Sequence, residues 1–68
     1  MPFIAFEAGQ LSKPVKDELI QKLTDVSSEV TGVPKHLFIV AIREHPDTNI
    51  AVGGKTVDQL KAELNDEL

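Results

Sequence analysis

Two apolar runs bracket one long amphipathic run, and this limits the fold more than any other feature of the chain. The first run, Pro2 to Ala8, sends Phe3 and Ala5 to one side of an extended strand and Ile4, Phe6 and Ala8 to the other. The second, Leu37 to Arg43, puts Phe38, Val40 and Ile42 on one side and Leu37, Ile39 and Ala41 on the other, ending in Arg43. Strands that are apolar on both sides are strands covered on both faces. Glu7 interrupts the pattern and reads as a carboxylate that reaches water near the strand end.

Between the two runs, Val15, Leu19, Leu23, Val26 and Val30 recur at helical spacing and form one stripe from Lys13 to Thr31. Ser12 precedes it as a capping hydroxyl, and Pro14 falls in the first turn, where its missing N–H costs nothing. Gly32 stands where a left-handed C-terminal cap is wanted, and Pro34 follows. A helix of this extent is about 28 Å long. Asp17, Glu18, Gln21, Asp25 and Glu29 take its solvent side, and Ile20, outside the stripe, reads as a contact for another subunit.

Strand, helix, strand in this order predicts a βαβ unit with parallel strands and a right-handed crossover. One helix covers one face of a two-stranded sheet and leaves the other bare, and two strands alone are marginal. A chain of 68 residues is a single domain, 1–68, with a thin core of its own. Small folds compensate with disulfides, a metal or oligomerisation. There is no Cys, and His36 and His45, in or near turns, read as surface residues outside any metal-ligand spacing. An obligate oligomer is the remedy left, with sheets of neighbouring copies joining and stacking.

The remainder is short. Glu44 to Asn49 is a turn-rich loop, Ile50-Ala51-Val52 is a brief apolar run, and Gly53-Gly54 permits a tight reversal. Together they predict a small hairpin that packs on a neighbour. The spacing of a phosphate-cradling loop is absent. Thr56 and Gln59 fit a capping box, followed by Leu60, Leu64 and Leu68 on a short C-terminal helix that frays from Asn65 to Leu68. The fold class is α+β.

Net charge is −4, and the acidic excess is concentrated after Thr56, with no basic cluster anywhere. That argues against a nucleic-acid partner. No apolar run has the length of a membrane span, and no secretory signal pattern opens the chain. The expectation is a soluble, cytoplasmic protein.

Pro2 carries the one chemical possibility that needs neither His, Cys nor metal. Once Met1 is removed, its nitrogen is a secondary amine. Apolar neighbours such as Phe3, Ile4 and Phe6 push such an amine toward its neutral, basic form.

Met-Pro before an apolar strand, a βαβ unit of this length, and Asn49-Ile50-Ala51-Val52-Gly53-Gly54 after a polar loop occur here together. With Leu11-Ser12-Lys13 and Thr31-Gly32-Val33-Pro34, they make the chain, from Pro2 to about Lys55, resemble the 4-oxalocrotonate tautomerase family, most of all its short DmpI-like branch. The resemblance implies a homohexamer, a trimer of dimers, with no cofactor. In it Pro2 would move a proton within a small unsaturated keto or enol acid. Several positions depart from the family. An arginine of the second strand is Ile39 here, one just before the helix is nearest to Leu11, and a loop aromatic is Ile50. Arg43, four residues beyond Ile39 on the same strand face, is the candidate substitute cation, beside the plainer reading of a strand-end arginine paired with a surface carboxylate, and Ile39 and Ile50 would supply apolar pocket wall. Their apolar character favours monocarboxylate or neutral substrates. Two alternatives stay open: hydration or dehalogenation on the same frame, and a non-catalytic oligomeric binding protein.

Overall fold

The computed structural model describes residues 1–67; Leu68, the last residue of the expected C-terminal stripe, lies outside the described residues. Strand β1 (Phe3–Ala8) is followed by helix α1 (Lys13–Thr31) and strand β2 (Ile39–Glu44). The short strands β3 (Ala51–Val52) and β4 (Lys55–Thr56) form an antiparallel hairpin, and helix α2 (Val57–Glu67) follows. β1 and β2 pair in parallel, in a register that sets Phe3 beside Ile39 and Glu7 beside Arg43. The α+β reading and the βαβ unit hold.

Local chemistry sets the ends of α1. Ser12 Oγ accepts from the Val15 N–H at 3.4 Å, and Pro14 sits in the first turn. At the other end Gly32 adopts φ 75° and donates its N–H to the Ser28 carbonyl at 2.9 Å. A left-handed residue is favourable there only without a Cβ. Ser28 Oγ donates to the Val33 carbonyl at 2.6 Å and fixes the exit from the helix.

The second strand begins two residues later than the sequence predicts. Lys35–Leu37 instead form a 3₁₀ turn, in which the Leu37 and Phe38 N–H groups donate to the Pro34 and Lys35 carbonyls, each at 3.1 Å. The strand also runs one residue further, to Glu44, and Asp47–Asn49 make a second 3₁₀ turn within the loop.

The helix stripe is corrected as well. The half-buried positions of α1 are Lys16, Leu19, Leu23, Thr24, Asp25, Ser27 and Ser28, whereas Val15, Val26 and Val30 are exposed, Val30 by 80%. Leu19 and Leu23 are common to both lines. Beyond them the inward positions are polar, because Thr24 and Ser28 satisfy their hydroxyls on the helix and its exit. Three valines are thereby left on an uncovered flank. Asp25, placed by sequence on the solvent side, is half-buried against Lys35 at 2.9 Å.

Within the protomer no described residue is fully buried. The molecule extends 46 × 22 × 20 Å, with a radius of gyration of 15.8 Å. A self-sufficient domain of this length has a radius near 11 Å. Along both strands exposure alternates strictly: Ile4, Phe6, Ala8, Val40, Ile42 and Glu44 turn toward the helix, and Phe3, Ala5, Glu7, Ile39, Ala41 and Arg43 turn away. The bare face predicted by the two-sided apolar pattern is therefore present. No helix of the described residues is long and apolar enough to cross a membrane.

The capping box is seen in one half, with the Thr56 N–H donating to Gln59 Oε1 at 3.0 Å. Gly53 and Gly54 both take positive φ, 62° and 87°, at the tip of the β3–β4 hairpin.

Candidate active site

Pro2 is half-buried at the foot of the sheet, with Met1 before it. Its carbonyl accepts the Ile39 N–H at 3.0 Å, so Pro2 forms the first rung of the parallel ladder although it precedes β1. Phe3 and Ile39, its neighbours on the open face, are 63% and 42% exposed. With Met1 attached the Pro2 nitrogen is a tertiary amide; with Met1 removed it would be a secondary amine.

Arg43 lies on the same bare face as Ile39, as the alternation of the sequence predicts. Four residues of strand separate them, roughly 13 Å at the usual rise. Its guanidinium stands 3.8 Å from Glu7 Oε1 and is mostly exposed, a loose contact that leaves the cation available. Ile50 is half-buried and lines a cavity of about 380 Å³ together with Glu7, Ala8, Gly9 and His45. Its carbonyl accepts the Val57 N–H at 2.8 Å, which ties the loop to the start of α2. One protomer thus holds Pro2 and Ile39 at one end of the sheet and Arg43 and Ile50 at the other.

The sequence reading missed what Glu7 and His45 do. His45 is no free surface residue: its backbone N–H donates to the Ala8 carbonyl at 2.9 Å, and its side chain is half-buried with Nε2 2.8 Å from Glu7 Oε1. That hydrogen bond, and next the Arg43 charge, hold the Glu7 carboxyl below the usual carboxylate range. The available signal was register: parallel pairing brings Glu7 level with Arg43, and His45 continues the ladder two residues on. On the covered face, Lys16 reaches Glu44 at 2.6 Å and lowers the Glu44 carboxyl in the same sense. No group of three or more metal-ligating side chains is assembled among the described residues.

A parallel βαβ unit with a bare apolar face, a glycine-tipped hairpin and a proline at the first rung defines a tautomerase-like protein. The family model described as "Tautomerase enzyme" matches residues 2–60, and the chain belongs to that family. It is similar to a 4-oxalocrotonate tautomerase isozyme of Methylibium petroleiphilum at 28% identity and TM-score 0.82, covering 87% of this chain and 97% of that one. DmpI of Helicobacter pylori is 28% identical over 90% of this chain and 97% of its own, with TM-score 0.79. TomN, a 4-oxalocrotonate tautomerase homologue of the tomaymycin biosynthetic pathway, gives TM-score 0.86 at 27% identity, covering 90% of this chain and 95% of its own. Among proteins of curated function, none matches the sequence.

Proposed function

We propose that this protein is a cofactor-independent isomerase that moves a proton within a small unsaturated keto or enol acid, with Pro2 as base and then acid once Met1 is gone. The observation that carries this reading is the position of Pro2. Its carbonyl is pinned by the Ile39 N–H at 3.0 Å, and the first paired rung beside it, Phe3 with Ile39, is apolar. A neutral amine in such a place takes a proton near pH 7 and returns it elsewhere on the same substrate. Ile39 and Ile50 form pocket wall, and Arg43 binds the substrate carboxylate. One cation and two isoleucines suit a monocarboxylate better than a dicarboxylate.

The working form is an oligomer, a homohexamer built as a trimer of dimers. A folded monomer of 7.4 kDa exposes about 4,200 Å². This protomer exposes 5226 Å². The excess, about 1,000 Å² per copy, matches what one partner buries in a standard interface. The bare sheet face supplies apolar area for it, and the separation of Pro2 from Ile50 within one copy gives it a catalytic reason.

The test is an enol-to-ketone assay on protein whose intact mass shows Met1 removed. Pro2→Ala lowers kcat at least about 10²-fold, the usual contribution of a positioned acid–base group. Equal rates in the two proteins overturn the proposal.

A further inference from the structure

The cavity beside Ile50 contains a proton-transfer pair that the role of Pro2 does not use. Glu7 accepts from His45 at 2.8 Å on the cavity wall, and its carboxylate is held ionised by that bond and by Arg43. A carboxylate only accepts, so the neutral imidazole presents Nε2–H to Glu7 and keeps its lone pair on Nδ1. Among the described residues this is the ring's one side-chain hydrogen bond. The other charges around the cavity balance: Arg43 stands 3.8 Å from Glu7, and Asp47, whose Oδ1 lies 3.5 Å from where a Cβ on Gly9 would be, is paired with Lys61 of α2 at 2.8 Å. Such surroundings tolerate a single negative charge on a ligand.

We propose that His45, oriented by Glu7, is a second proton-transfer group, acting on the enol oxygen of a monocarboxylate keto acid while Pro2 acts on carbon. This rests on the reading of Pro2 given above. Ile50 and His45 line the same cavity, so a copy that lends Ile50 to a neighbour's Pro2 lends His45 with it. In the ketonising direction Nδ1 takes the enol O–H proton, and the O–H electron pair becomes the second bond of the carbonyl. The C=C pair then takes the proton carried by the Pro2 ammonium, the acid form of the same group whose neutral amine removes that carbon proton in the enolising direction. The products are the ketone, an imidazolium and a neutral amine, and proton exchange through water restores the starting state. Arg43 meets the carboxylate of the same substrate.

The experiment compares kcat–pH profiles of the processed wild type, His45→Gln and Glu7→Ala. It is joined to an NMR titration of the wild-type imidazoles with pyruvate, the His45 signal being assigned by its loss in His45→Gln. The expected result is a fall of about 10²-fold in kcat for His45→Gln with KM little changed. The imidazole limb of the profile disappears with it. Glu7→Ala gives a smaller fall and displaces that limb, which a purely structural role would leave in place. Unchanged kcat and limb in His45→Gln, beside an inactive Pro2→Ala, overturn the pair and leave the Pro2 reading standing. A wild type with no enol turnover removes the Pro2 reading, and pyruvate then decides the cavity alone. A shift of the His45 signal supports it as a keto-acid site, and no shift overturns it. The same titration decides should His45→Gln fail to assemble.

Discussion

The two faces of the β1–β2 sheet are built from nearly the same material and meet opposite fates. Each is mostly apolar and ends in charge: Ile4, Phe6, Ala8, Val40, Ile42 and Glu44 on one, Phe3, Ala5, Glu7, Ile39, Ala41 and Arg43 on the other. The first is half-buried under α1, and its terminal carboxylate is met by Lys16 from that helix at 2.6 Å. The second is bare, and its terminal carboxylate is met only from its own side, by His45 and Arg43. Composition does not decide which face is the inside of a protomer; connectivity does. One crossover helix exists, and a right-handed crossover places it on one side. The other side is finished, on our reading, by further copies.

The sharpest way to break that contrast is a charge at its centre. Ile39→Asp strands a carboxylate in the surface that copies share, costing roughly 3 kcal/mol or more per subunit. The expected outcome is a shift to monomer in sedimentation velocity with helicity by circular dichroism retained. An unchanged oligomer would show that the bare face stays open in solution. On the covered side, Ile42→Ala removes packing under the helix and costs about 2 kcal/mol, the low end for such truncations because the site is half-buried. Urea denaturation reads it as a lower midpoint at constant m.

Smaller effects sharpen the comparison at its margins. Gly32→Ala forces a Cβ into the left-handed region at the end of α1 and costs about 1 kcal/mol by the same measurement. The Lys16–Glu44 pair gives the covered face a pH signature. Glu44 is held below its usual range in the folded state, so its stabilisation is present above the ordinary carboxylate pKa and is lost as pH falls through the lower folded value. Glu44→Gln accordingly gives a small loss of stability at neutral pH, and the acid side of its stability curve is flatter below about pH 4.3, where it converges on wild type. A slope identical to wild type would remove the pair from the account.

Much of this frame was legible because period is a local property. Alternation over Phe3–Ala8 and Ile39–Arg43, helical spacing through Leu19 and Leu23, and Gly32 before Pro34 each follow from a few adjacent residues. The errors arose where a side chain found a partner that hydrophobicity does not register. Ser28, bonded to the Val33 carbonyl, takes an inward position while Val26 and Val30 remain outside. Pro34 seeds a 3₁₀ turn and delays β2. For the candidate site, the place of Pro2 at the head of the first strand and of Arg43 on the bare face was legible from chain position and strand alternation. The Glu7–His45 pair was not, because it joins residues 38 apart in sequence through strand register.

One rung of the ladder bears on how such a chain is matured. The sheet's lowest hydrogen bond uses the carbonyl of Pro2 and nothing ahead of it. An aminopeptidase that trims the leading methionine would take away no strand contact and leave the architecture as it was. On the proposed reading, maturation and folding are then separable events: the β1–β2 ladder does not depend on the leading methionine, and a single cleavage would turn an amide into an amine.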